Sequence, residues 1–280
     1  MEVVHTIPEL RAAVRRAREA GHSVGFVPTM GCLHEGHLSL IRRAKEEAGF
    51  VVVSIFVNPT QFGPHEDFSK YPRTLEDDRR GCEAAGAGLV FAPTTDEFYP
   101  AGASTWVDVA GISEGLCGSH RPGHFRGVAT VVAMLFNAAQ ADLAVFGRKD
   151  LQQLAVIRRM VRDLHLPVRI IAHETVREPD GLAMSSRNRY LTPEQRAQAA
   201  TIPAAIAAAQ SLARAGVTDG ARLREAALEV LRSQPAFKTQ YCEIVDRETM
   251  ATAAAIAGRP CAIAIAGHLG ATRLIDNADL

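Results

Sequence analysis

Residues 23–57 read SVGFVPTMGCLHEGHLSLIRRAKEEAGFVVVSIFV, and this stretch decides the fold. Ser23–Val27 is a short apolar run of strand character. Phe50–Val57 (FVVVSIFV) is apolar without alternation, as expected of a strand covered on both faces. Between them Leu38, Leu40, Ile41, Ala44 and Ala48 recur at helical spacing. Strand, loop, helix and strand in this order predict parallel strands joined by a right-handed crossover.

The pattern recurs along the chain. Leu89–Ala92, Asp142–Phe146 and Val168–Ala172 are strand-like, Val128–Ala139 reads as a buried helix and Leu151–Leu164 as an amphipathic one. This alternation predicts an α/β fold with a Rossmann-like, doubly wound parallel sheet. The character shifts after about Thr175. Thr192-Pro193-Glu194 is a helix start, with Thr as cap and Pro at the first position. An Ala-rich helical stretch runs to about Gly216, and a second helix covers Ala221–Ser233. Tyr241–Val245, Cys261–Ala266 and Arg273–Ile275 read as short strands. The expected division is a doubly wound domain over residues 1–175 and a smaller α+β domain over 176–280.

Composition narrows the function. The 280 residues are 47% hydrophobic and 22% charged, an ordinary globular balance for a chain near the size where one core splits. Lys plus Arg and Asp plus Glu each total 31, so no basic excess points to nucleic acid or an anionic membrane surface. The N-terminal residues lack an apolar signal core, and no apolar run approaches the roughly 20 residues of a bilayer span. A cytoplasmic protein is expected. Five cysteines, an odd number without a C-x-x-C pair, are expected to be buried free thiols.

Five segments carry side chains suited to chemistry. Pro28–His37 (PTMGCLHEGH) lies between strand and helix, at the carboxyl end of a parallel sheet where ligands collect. The coming helix offers unpaired N–H groups and a positive dipole end to phosphates. Gly31 and Gly36 permit close backbone approach, and His34 and His37 can face one way and donate to charge developing on a phosphate. The alternatives are a pair of exposed histidines or a zinc site, although a metalloprotease helix has its histidines four apart rather than three.

Asn58-Pro59-Thr60-Gln61-Phe62 follows the second strand, and Gln61 suits a ligand bearing a hydroxyl and a carboxylate. Tyr71-Pro72-Arg73 belongs to the same rim or to a surface loop. Gly118–Phe125 (GSHRPGHF) superficially resembles a P-loop, but no Lys-Ser/Thr follows its second glycine and no strand precedes it. Gly147-Arg148-Lys149-Asp150 again sits between strand and helix. Lys149 suits phosphate charge and Asp150 a ribose hydroxyl or a metal, with Gln152 and Gln153 on the next turn. Met184-Ser185-Ser186-Arg187 supplies two hydroxyls and a guanidinium, a pyrophosphate clamp. Singly, these also read as a polar turn, a surface ion pair and a capping loop.

The order P-T-M-G-x-L-H-x-G-H, V-N-P-x-Q-F, R-P-G-H-F, G-x-K-D-x-Q-Q and G-L-A-M-S-S-R-N resembles the pantothenate synthetases, the pantoate–β-alanine ligases. The match runs from Val27 to about Leu191 and continues more weakly into Arg273–Asn277. The resemblance implies an ATP-dependent condensation of pantoate with β-alanine through an adenylate, giving pantothenate, AMP and pyrophosphate, with Mg²⁺ and a homodimeric assembly. It implies an ATP site of Met30, Gly31, Cys32, Leu33, His34, Glu35, Gly36, His37, Gly147, Arg148, Lys149, Asp150, Val176, Met184, Ser185, Ser186 and Arg187. His34, His37, Lys149 and Arg187 are its expected catalytic groups. Gln61 and Gln153 are implied for pantoate and Gln61 for β-alanine, with residues 176–187 as a closing lid. Cys32 and Arg148 depart from the pattern, which has a small residue such as Ala and a Glu or Gln at those places.

Overall fold

Burial on alternate sides of each strand organises the larger half of the molecule. The computed structural model describes residues 1–64, 66 and 68–280. Six strands, β1 (Glu2–Val4), β2 (Val24–Thr29), β3 (Phe50–Ile55), β4 (Leu89–Phe91), β5 (Leu143–Gly147) and β6 (Arg169–His173), form one sheet in the order β1-β4-β3-β2-β5-β6. Every pairing in it is parallel. The helices along this half are α1 (Ile7–Glu19), α2 (Glu35–Glu47), α3 (Leu75–Ala84), α4 (Thr95–Phe98), α5 (Cys117–His120), α6 (His124–Ala139) and α7 (Leu151–Asp163).

Phe26, Val52, Ala144 and Phe146 point to the face covered by α1, α6 and α7. Val27, Val51, Val53, Leu143 and Val145 point to the face covered by α2 and α3. Side chains alternate across a strand, so a sheet buried on both faces needs apolar residues at every position. That is why FVVVSIFV shows no polar alternation.

The chain adopts the doubly wound class that its periodicity predicts. From β2 it winds outward through β3 and β4, and the later strands β5 and β6 lie on the other side of β2. Strand order therefore reverses between β2 and β5, and a crevice opens beyond the carboxyl ends of strands at such a point. Pairing of β2 with β5 covers only Gly25 and Phe26. β2 runs on to Thr29, two residues beyond the apolar run, and Pro28, which has no N–H to donate, lies past the β5 ladder. β1, α1 and α3 lie outside the sequence reading.

The smaller half carries α8 (Pro193–Gln198), α9 (Thr201–Arg214), α10 (Gly220–Arg232) and an antiparallel sheet of β7 (Phe237–Asp246), β8 (Cys261–Leu269) and β9 (Thr272–Asp279). The single Ala-rich helix expected up to Gly216 is in fact two, divided at Ala199–Ala200. Pro203 has no N–H for the Ala199 carbonyl, so a continuous helix would lose that bond. Ile263 and Ile265 of β8 pack with Ile202, Ile206, Leu223 and Leu231 of the helices. The opposite face of β8, Ala262 and Ala264, packs with Val245 and Met250 against the core of the parallel sheet. Small residues there let the two sheets approach closely. All five cysteines are buried and free. No helix among the described residues is long and apolar enough to cross a membrane.

Candidate active site

A cavity of about 950 Å³ lies at the β2/β5 crevice and is closed on one side by β9 and the segment after residue 182. Of the residues implied by sequence, Met30, His34, His37, Gln61, Lys149, Asp150, Gln153, Ser185, Ser186 and Arg187 line it. Gly31, Cys32, Leu33, Gly36, Gly147 and Met184 form the backbone behind that lining. Glu35 faces outward and pairs with Arg42, and Val176 is tied to Met184 by a backbone bond of 3.0 Å.

The histidines are held by the start of α2. His34 is its N-cap, and its Nδ1 accepts the Gly36 N–H at 3.1 Å. His37 Nδ1 accepts the His34 N–H at 3.4 Å. A Cβ on residue 36 would come within 2.8 Å of the His34 ring, so glycine is what lets the imidazole fold back onto its helix. The two ring centroids are 4.1 Å apart. With each Nδ1 occupied as an acceptor, the network assigns the proton of each neutral ring to Nε2. Burial, then Lys149 and Arg189, pushes the His34 pKa down to about 4. Burial, then His34 and Lys149, pushes His37 down to about 3. Both rings are therefore neutral donors at pH 7 in the free protein, and imidazolium is excluded there by desolvation.

Upstream, the turn from Met30 to Leu33 hangs on a residue that sequence reading missed. Asp78 of α3 is buried, and its carboxylate accepts the Cys32 N–H at 2.9 Å and the Leu33 N–H at 2.7 Å. Gly31 adopts φ +82° and Cys32 φ +53° in this turn. Asp78 is one of three acids opening α3, and nothing in their spacing singles it out.

Lys149 ends the loop after β5. Burial lowers its pKa, against the opposing charges of Asp150 and Asp276. It makes no salt bridge among the described residues, so no carboxylate competes with a ligand for its Nζ. Arg148 turns away and pairs with Glu174 and Asp279. Ser185 caps the short 3₁₀ turn Ser186–Tyr190 by accepting the Arg187 N–H at 3.2 Å.

At the other end, buried Asn58 orients Gln61. The Asn58 amide donates to Gln61 Oε1 at 3.1 Å and to the Gly127 carbonyl at 3.2 Å, while its Oδ1 accepts from Tyr99 at 2.8 Å. Gln61 Nε2 approaches Met30 Sδ at 3.1 Å. The segment Gly118–Phe125 proves to be a brace for Gln61. Arg121 grips Glu66 at 2.5 and 2.6 Å, and His124 Nδ1 donates to the Gln61 carbonyl at 2.8 Å. Tyr71 also lines the cavity. Of the two neighbouring glutamines, Gln152 is buried and holds the Cys117 N–H and the Ile112 and Gly115 carbonyls. Gln153 lines the cavity, and its side chain makes no hydrogen bond among the described residues. An apolar wall of Val128, Val132, Leu135 and Phe146 completes this end.

The arrangement has a cation and hydrogen-bond donors suited to phosphates at one end. At the other are amides and an apolar wall suited to a small branched hydroxy acid. Comparison with known proteins gives the same answer over the whole chain. The family model described as pantoate-beta-alanine ligase matches residues 2–279. The pantothenate synthetase of Moorella thermoacetica is 52% identical over 280 residues, covering 100% of this chain and 99% of the relative. The crystal structure of pantothenate synthetase from Thermus thermophilus superposes with a TM-score of 0.95 at 48% identity, covering 100% of this chain and 99% of that one. A pantoate-beta-alanine ligase from Francisella tularensis, solved as a complex with beta-gamma ATP and beta-alanine, gives a TM-score of 0.80 at 32% identity, covering 100% and 97%. With the family model matching residues 2–279 and relatives about half identical over the whole chain, the chain belongs to the pantoate–β-alanine ligase family.

Proposed function

We propose that the protein condenses pantoate with β-alanine at the expense of ATP, releasing AMP and pyrophosphate. The observation that carries this reading is one cavity lined both by His34, His37, Lys149, Ser185, Ser186 and Arg187, groups suited to phosphates, and by Gln61 and Gln153, amides suited to a hydroxy acid. In this reading Met30–His37, Gly147–Asp150, Val176 and Met184–Arg187 form the ATP site. Gln61 and Gln153 hold pantoate, and Gln61 also meets β-alanine.

A free carboxylate resists amine attack because its leaving group would be oxide. In the first step a pantoate carboxylate oxygen bonds to the α-phosphorus of ATP, and the bond to the β-phosphate oxygen breaks. The Nε2–H groups of His34 and His37, the Lys149 ammonium and the Arg187 guanidinium face the negative charge that spreads over the phosphates. In the second step the neutral amine of β-alanine attacks the acyl carbon, AMP leaves and the amine gives up a proton. Gln61 and Gln153 act here by positioning, and residues 176–187 would exclude water from the adenylate.

Magnesium belongs to this reading as the companion of ATP. Mg²⁺ keeps much of its water shell and is usually held by one or two carboxylates plus phosphate oxygens. Asp150, which makes no ion pair among the described residues, is the carboxylate that fits that need, and the ion would supply further neutralisation of phosphate charge. Division into domains 1–175 and 176–280, a homodimer and a cytoplasmic location complete the proposal.

The test is a coupled assay for AMP with ATP, pantoate and β-alanine, omitting each in turn. Pyrophosphate release that requires pantoate, and AMP release that also requires β-alanine, support the ligase. Nucleotidyl transfer to a phosphorylated acceptor without an amine overturns it, and stoichiometric zinc in the purified protein would favour a hydrolase.

A further inference from the structure

The segment Arg273–Asn277 lines the cavity on β9 without a role in the steps above, and two of its residues reach the loop that carries Lys149. Asp276 and Asn277, both buried, lie on β9. The Asn277 side-chain amide donates to the carbonyls of Arg148 at 3.0 Å and Lys149 at 2.8 Å. Those carbonyls lie between β5 and α7, outside the ladder of either element, and a buried carbonyl without a donor is costly. Two bonds from one amide fix both peptide planes and hence the direction in which the Lys149 side chain leaves the backbone.

Asp276 extends the connection to the other phosphate-facing segment. Arg177 donates to its two oxygens at 2.7 and 3.0 Å and to the Gly181 carbonyl at 2.9 Å. The Asn277 N–H donates to the same carboxylate at 2.8 Å. Burial raises the Asp276 pKa, while these three hydrogen bonds and the charges of Arg177 and Lys149 oppose the rise by favouring the ionised form. Arg177 opens the segment that ends in Ser185–Arg187.

We propose that Asn277 and Asp276 are positioning residues for the adenylation step. They set the Lys149 loop against the ATP phosphates and tie it, through Arg177, to the segment bearing Ser185–Arg187. Neither touches the reacting atoms, and both act through Lys149. The inference rests on the ATP-ligase reading.

The test is a double-mutant cycle between Asn277→Ala and Lys149→Ala, read as pantoate-dependent exchange of pyrophosphate into ATP. Asn277→Ala is expected to slow exchange about 10-fold in the native background and less than about 2-fold when Lys149 is already Ala. The KM for pantoate should change little. Equal losses in both backgrounds would show a general structural role and overturn the inference. Asp276→Asn, of nearly the same shape, provides a second cycle with Lys149→Ala should Asn277→Ala fail to fold. Absence of exchange in the unmodified enzyme would overturn the ligase reading instead. The same cycle read by calorimetric ATP binding then decides the positioning role, again by whether the losses are coupled or equal.

Discussion

Asp78 offers the sharpest test of how the motif loop is built. Its carboxylate accepts two backbone N–H groups, at 2.9 and 2.7 Å, and the Thr74 hydroxyl at 3.2 Å. Asp78→Ala strips the acceptor from a turn in which Cys32 already holds φ +53°, a strained value for a residue with a Cβ. A hydrogen bond to a charged group contributes about 1.5–3 kcal/mol, so losing both backbone bonds costs roughly 3–6 kcal/mol. With a urea m-value of about 3 kcal/mol/M, the unfolding midpoint should fall by roughly 1–2 M. The loosened turn leads straight into the His34 cap, so the KM for ATP should rise while the KM for β-alanine stays near its original value. Asp78→Asn keeps one acceptor but sets an NH₂ group against the other N–H, and should recover no more than about half of the lost stability. A midpoint within about 0.2 M of the unmodified protein, with KM for ATP unchanged, would refute the role given to this carboxylate.

Three further expectations follow from the site. His37→Ala should lower the adenylation rate by a factor on the order of 10² to 10³ if its Nε2–H meets charge that grows in the transition state; near-normal pyrophosphate exchange would remove it from the mechanism. The depressed pKa values of His34 and His124, about 4, and His37, about 3, give a signed pH dependence. Stability from burying these rings neutral is full above the unfolded pKa of about 6.5 and is lost as pH falls toward 4. NMR titration of the free enzyme should show no midpoint near 6.5 for any of the three rings. In Gly127→Ala the new Cβ would lie 2.4 Å from the Thr60 carbonyl oxygen and 2.8 Å from the Gln61 nitrogen. Backbone on the 3₁₀ turn Pro59–Gln61 must then shift, so stability should fall by about 1–3 kcal/mol and the KM for pantoate should rise. An unchanged KM for pantoate would show that Gln61 does not depend on this close approach.

What the sequence made legible was local. FVVVSIFV and the helical spacing of Leu38–Ala48 announce a parallel unit because burial on both faces leaves a mark every residue. Once the sheet is parallel, the position of His34–His37 at its carboxyl end follows. β1 is only three residues long, too short for any period to show. Gln152 and Gln153 are neighbours of the same type, yet helical geometry turns them about 100° apart, one into packing and one toward the cavity. No count along the chain decides which is which without the walls that each one meets. Asp78 was missed, and Asn58 and Asn277 were quoted in motifs without a role, for a related reason. Asp78 and Asn277 act on backbone groups, which leave no residue type behind to mark them, and Asn58 acts on Gln61 and Tyr99 through contacts that only the fold brings together.

The departure at Arg148 and the P-loop-like Gly118–Phe125 segment yield to one physical distinction, whether a cation is already committed. Arg148 is held by Glu174 and Asp279, and Arg121 by Glu66. Lys149 has no such partner among the described residues. An arginine whose fork is filled by carboxylate presents little net charge to a ligand, so it serves as scaffold. Arg121 braces the Gln61 carbonyl, and Arg148 joins β9 to the nucleotide loop. The Lys149 side chain sits in a low-dielectric enclosure that lowers its pKa, and there a bound anion would favour its protonated form and gain most from that charge. Residue type marked all three positions as basic. Carboxylates 26 to 131 residues away fill the two arginines, and Lys149, of the three, is left for the phosphate in the proposed reaction.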